Sequence, residues 1–146
     1  MPTKFSQFNH GGAIIAGDIV VGLRNGQDYQ FDATALPTNS WQSINTHQDL
    51  VANTNYFMYN VIPEIYNLPL VCGFGETITI VNTANSTFSI AQEAGQQILI
   101  GDVLTTMGVG GLLTCTQIGD SLTLACFVPN LIFVVVGAPQ GIWVTV

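Results

Sequence analysis

The chain has 146 residues, of which 48% are hydrophobic and 8% charged, with nine acidic side chains against two cationic ones and a net charge of −7. Without a basic patch to meet phosphates, this balance excludes nucleic acid as a partner and disfavours anionic lipid surfaces. A soluble monomer of this size covers itself with polar and charged groups, so a chain this poor in charge is expected to enter a membrane or to hide surface against copies of itself.

Membrane insertion fails on length, because no stretch reaches the ~20 apolar residues of a spanning helix. The most apolar stretch, residues 125–138, is interrupted by Pro129 and Asn130. The opening MPTKFSQFNHGG lacks the apolar core of a secretory signal. Self-association is therefore the expectation, with a homotrimer as the stoichiometry. Cys72, Cys115 and Cys126 are odd in number and show no CxxC spacing, which argues against a disulfide framework or a zinc site. They read as small buried apolar residues of a chain folded in a reducing cytosol.

In chain order, Phe5 and Phe8 lie in a polar lead-in that ends at Gly11-Gly12. The apolar run Ile19-Val-Val-Gly-Leu23, the turn signal Arg24-Asn25-Gly26-Gln27 and the alternating Tyr29-Gln-Phe-Asp32 predict a small hairpin over residues 18–32 with a primed two-residue turn. Residues 33–49 read as an extended polar arm, with a short helical turn possible where Trp41 and Ile44 stand three apart. The composition shifts near residue 50, which predicts a docking arm over residues 1–50 and a β-domain over residues 51–146. Phe5, Phe8, Arg24 and Trp41 are its candidate docking residues.

Within the β-domain, strands are expected near residues 56–60, at 68–71 (an edge strand, because Pro69 lacks a ladder donor) and at 76–82, where Ile78 and Ile80 share a face. Further strands are expected at 88–90, 97–100, 112–117 and 121–128. A final pair, residues 131–136 and 141–146, is expected to be joined by a turn at Gly137-Ala-Pro-Gln140. Turn signals separate these runs at the spacing of an antiparallel β-sandwich or jelly-roll-like domain. The run Leu131-Ile-Phe-Val-Val-Val136 has no polar member, so it predicts burial on both faces, one of them against a neighbouring subunit or the N-terminal arm.

Little in the chain points to catalysis. His47 precedes Asp49 by two residues, but no nucleophile accompanies them, and both His47 and His10 read as surface polar groups. The carboxylates are scattered singly at turns and strand starts. Gly108-Val-Gly-Gly111 lacks the Lys and helix of a phosphate loop and reads as a backbone bend. No metal or cofactor is implied. Tyr56, Phe57, Tyr59 and Tyr66 cluster ahead of the main strands, either as a sugar-stacking platform or as an interface. Gln92, Gln96 and Gln97 are equally consistent with contacts between symmetry mates and with a solvated surface.

Two segments carry a resemblance. Gly17-Asp-Ile-Val-Val-Gly-Leu-Arg-Asn-Gly26, running on to Phe31-Asp32, resembles an N-terminal stretch of small tail-fibre and tail-associated proteins of tailed bacteriophages. Gly95-Gln-Gln-Ile98, Thr105-Thr106, Gly108, Gly110-Gly111, Asp120-Ser121 and Leu124-Ala-Cys126 together resemble a β-repeat domain of phage fibres and related viral surface proteins. The resemblance implies a non-enzymatic virion structural or attachment protein, made in the host cytoplasm, whose partners are itself and other capsid or tail proteins. The chain lacks the long shaft of a tail fibre, which leaves a head-surface decoration role beside an attachment role. The alternative is a lectin-like module that binds host-surface glycans.

Overall fold

The computed structural model describes residues 19–24, 27–32 and 40–146. Its chain separates into two compact units, Met1–Pro37 and Thr38–Val146. In the first, β1 (Ile19–Arg24) and β2 (Gln27–Asp32) pair antiparallel, from Ile19↔Asp32 to Arg24↔Gln27. This is the expected hairpin. Its turn, Asn25-Gly26, lies outside the described residues, as do Phe5 and Phe8.

The second unit is all-β. Its strands are β3 (Ser40–Ile44), β4 (Thr54–Met58), β5 (Glu64–Asn67), β6 (Thr77–Asn82), β7 (Phe88–Ala91), β8 (Gln97–Ile100), β9 (Val103–Leu104), β10 (Leu112–Cys115), β11 (Ser121–Val128), β12 (Ile132–Gln140) and β13 (Trp143–Thr145). They form a seven-stranded sheet in the order β3-β4-β6-β11-β12-β8-β9 and a four-stranded sheet in the order β13-β10-β7-β5. Both sheets are mixed rather than wholly antiparallel, since β3–β4, β4–β6, β8–β12 and β5–β7 are parallel ladders.

Period-two alternation explains the layering. Along β6 and β11 every second residue is buried: Ile78 and Ile80, then Leu122, Leu124 and Cys126. Tyr66, Phe88, Ile90, Leu113 and Cys115 of the small sheet join them and Phe133 in one core cluster. The two inner faces thus meet as in a sandwich. Edge-to-face contacts link Tyr66 to Phe88 and Phe88 to Trp143, at 5.8 and 5.9 Å between ring centroids.

Three details differ from the sequence-based expectation. The division at residue 50 falls instead after Pro37, because β3 lies beside β4 and Ile44 and Leu50 are core residues. Residues 68–71 are not a strand. The strand ends at Asn67, one hydrogen bond continues from Leu68 N to Ala91 O, and Pro69 has no N–H to extend the ladder. Residues 137–140 are not a turn, since β12 runs on to Gln140, which pairs with Ser121. The chain changes sheets after that, at Gly141 with φ of +81°, and β13 pairs with β10 rather than with β12. On β12, Phe133 is in the core, while Ile132 and Val134 are half-buried and Val136 is 43% exposed, so the face expected to meet a neighbouring subunit or the N-terminal arm is partly open in the single chain.

Candidate interaction surface

The expected aromatic cluster is split by strand alternation. Tyr56 and Tyr66 point into the core and are fully buried, so neither is available to a ligand, whereas Phe57 and Tyr59 are exposed. Trp41, expected in a docking arm, instead stands on β3 and stacks on Phe57 of β4, with ring centroids 4.3 Å apart and planes 18° from parallel. Trp41 is 51% exposed. Sequence pattern misses this stacked pair because it needs β3 and β4 side by side in parallel, a pairing between segments that share no turn. Arg24 closes β1, opposite Gln27.

Trp41 and Phe57 stand at one end of the outward face of the seven-stranded sheet. The register fixes the rows that cross the rest of it. One row runs Thr79, Thr123, Val136, and the next runs Thr77, Ala125, Val134, Leu99, Leu104. Thr79 and Thr123 bond to each other through their hydroxyls at 3.0 Å. The face therefore has an aromatic end on β3–β4, a hydroxyl-rich middle and an aliphatic end on β12–β8–β9. None of the seven strands carries a charged residue. Lys4 and Arg24 both precede residue 38, so the second unit contains no lysine or arginine. Its acids, Asp49, Glu64, Glu76, Glu93, Asp102 and Asp120, all lie off this sheet.

The other groups singled out in the sequence have internal partners. The amide of Gln92 donates to Thr105 Oγ1 at 2.6 Å, and that of Gln96 to the carbonyls of Pro69 at 2.9 Å and Asn130 at 3.2 Å. Gln97 donates to Thr105 O at 3.0 Å. These glutamines staple loops within one chain, which accounts for the burial of Gln92 and Gln96. His47 Nδ1 contacts the carbonyl of Ile65, and Asp49 accepts from Asn67 Nδ2 at 2.9 Å. Among the described residues, no three His, Cys, Asp or Glu are placed to hold a metal ion.

An open groove of about 390 Å³ is lined by Leu50, Val51, Leu70 and Val71, with Asp49 and Glu76 at its wall. Glu76 is held there by structural bonds, from Asn53 Nδ2 at 3.0 Å and Gly73 N at 2.6 Å. Beside it, Cys126 Sγ donates to the carbonyl of Cys72 at 3.2 Å. Burial, then Cys126 and Glu76, push the Cys72 thiol up to about 12, so it stays protonated and poorly nucleophilic at neutral pH. The three cysteines are free and buried.

Comparisons with protein-family models and with curated proteins found no match.

Proposed function

We propose that the protein is a structural component of a tailed-bacteriophage particle, a homotrimer without catalytic activity that serves in attachment or surface decoration. The observation that carries this reading is the seven-stranded sheet without a charged residue, in a unit that has no cation of its own. A freely soluble enzyme or carrier has no use for so large an uncharged face, and an assembly subunit does. The two fibre-like sequence segments supply the particle. Residues before Thr38, with Phe5, Phe8 and Arg24 among them, then dock the chain to a capsid or tail protein. The test is co-purification: the chain should band with density-gradient-purified virions and resist salt washing, and its absence from the particles would overturn the reading.

A second reading is favoured by the exposed aromatic end. Trp41, Phe57 and Tyr59 offer ring faces on which the C–H groups of a sugar could lie, with the amide of Asn55 in register with Trp41. A host-surface glycan is its ligand class. Binding on a glycan array that Trp41→Ala abolishes would establish this function, and an array without signal would remove it.

A further inference from the structure

We infer that the aliphatic end of the large sheet's outward face is where copies of this chain meet, three of them turning that face toward a common axis. The inference rests on the self-assembly reading and names its surface.

The surface follows from alternation. Phe133 on β12 and Ile98 on β8 are core residues, so their neighbours Val134 and Leu99 stand on the opposite face, in direct register with each other. Ala125 flanks Val134 on one side and Leu104 flanks Leu99 on the other, and Ile132 and Val136 lie above and below Val134 along β12. Six side chains from four adjacent strands thus form one continuous aliphatic surface. Of the six, Val136 and Leu104 are exposed and the other four half-buried, so the surface is reached by solvent along its length. Uncovered, it is an aliphatic, uncharged face of the kind that aggregates.

The charge distribution selects the occupant. A basic partner would be drawn to the acidic loops rather than to this neutral face, and an acidic partner would find no cation anywhere in the unit. A second copy suits it. Elsewhere two copies would bring carboxylates toward carboxylates, and here they bring none. Beside it, the hydroxyls of Thr79 and Thr123, bonded to each other at 3.0 Å, keep acceptor capacity for a group from another copy. A closed arrangement around one axis leaves no such face open, and the count of three is taken over from the self-assembly reading.

The test uses the full-length chain. Light scattering at micromolar concentration should give three chain masses for the wild type. Val134→Asp and Leu99→Asp each place a carboxylate in the contact and should give one chain mass with an unchanged far-ultraviolet circular dichroism spectrum. Val109→Asp, at an exposed position that is not one of the six residues of the face, should stay trimeric. If the aspartate variants fail to fold, Val134→Thr and Leu99→Thr decide: they should raise the trimer's dissociation constant at least tenfold. Folded variants that keep three chain masses, or threonine variants with an unchanged dissociation constant, overturn the assigned face while leaving self-assembly standing. A wild-type chain of two masses overturns the threefold arrangement. A wild-type chain of one mass overturns the self-assembly reading as well.

Discussion

The backbone N–H of Val51 donates to the phenolic oxygen of Tyr56 at 2.8 Å. Tyr66, equally buried, has a hydroxyl with no hydrogen-bond partner among the described residues. Two tyrosines that look interchangeable in the sequence therefore differ in what their oxygens do. Losing a made bond costs about 0.5–1.5 kcal/mol, whereas removing an unsatisfied buried hydroxyl is neutral or stabilising. Tyr56→Phe should lower stability by about 1 kcal/mol in urea titration, and Tyr66→Phe should leave it unchanged or raise it. A Tyr66→Phe chain as destabilised as Tyr56→Phe would contradict this assignment.

Alkaline pH is expected to destabilise the fold through the same core. Burial raises the Cys72 thiol from 9.0 to about 12 and the Cys115 thiol from 9.0 to about 11. Burial, then Glu64 and Tyr59, raise the Tyr66 hydroxyl from 10.0 to about 12. Each group holds its proton more tightly folded than unfolded, so its contribution is intact below the unfolded value and is lost as pH rises through the folded one. Melting temperature should fall from pH 9 upward with these groups and keep falling toward about 11–12. The Cys115→Ala chain should show a shallower fall over that window. A wild-type melting temperature that is flat from about pH 8 to about pH 11 would refute the effect.

The parts of the fold written in local pattern were legible. β6, β7 and β11 match the alternating runs because a half-buried strand needs only its own residues to show a period of two. The illegible parts depend on pairing at a distance. β3 is itself a mostly polar segment with one tryptophan, and its strand identity comes from the parallel ladder with β4 rather than from its own pattern. The end of β12 contains Gly137 and Pro139, ordinary turn formers, yet the ladder to β11 carries the strand through them to Gln140. The aromatic cluster failed for a simpler reason: adjacent residues on a strand face opposite ways, so Tyr56 and Phe57 could never share a surface. Charge was the strongest signal for the candidate site, and composition alone carries it.

The corrected boundary makes truncation informative. Removing residues 1–37 leaves every strand of the second unit in place, so the remaining chain should still give a β-type circular dichroism spectrum and a cooperative melt. Removing residues 1–50 also strips β3, exposes the edge of β4 and takes Ile44 and Leu50 out of the core. Losing each of those two side chains costs about 2–5 kcal/mol by analogy with large-to-small core substitution. The shorter chain should therefore unfold or aggregate. Two truncations of equal stability would mean that β3 adds nothing to the sheet.

Asp120, which closes the turn from Gln117, lies directly against Gly141 at the far end of β12. Asp120 is buried, and its Oδ2 accepts from Thr116 N at 2.8 Å, Gln117 N at 2.9 Å and Thr116 Oγ1 at 3.3 Å. Its other oxygen lies where a side chain on Gly141 would begin, and Gly141 has φ of +81°. The glycine is required twice over, by its left-handed backbone and by the carboxylate against it. Asp120→Ala leaves the Thr116 and Gln117 donors without their acceptor and should cost about 1–3 kcal/mol. Gly141→Ala should cost more than about 1 kcal/mol, from backbone strain together with collision against Asp120. Because the collision needs both partners, the double variant should be less destabilised than the sum of the single ones. A coupling of about 0.5–3 kcal/mol is the range for residues in contact. Strictly additive losses in a double-mutant cycle would show that the Gly141 requirement is the backbone angle alone and that the carboxylate does not constrain it.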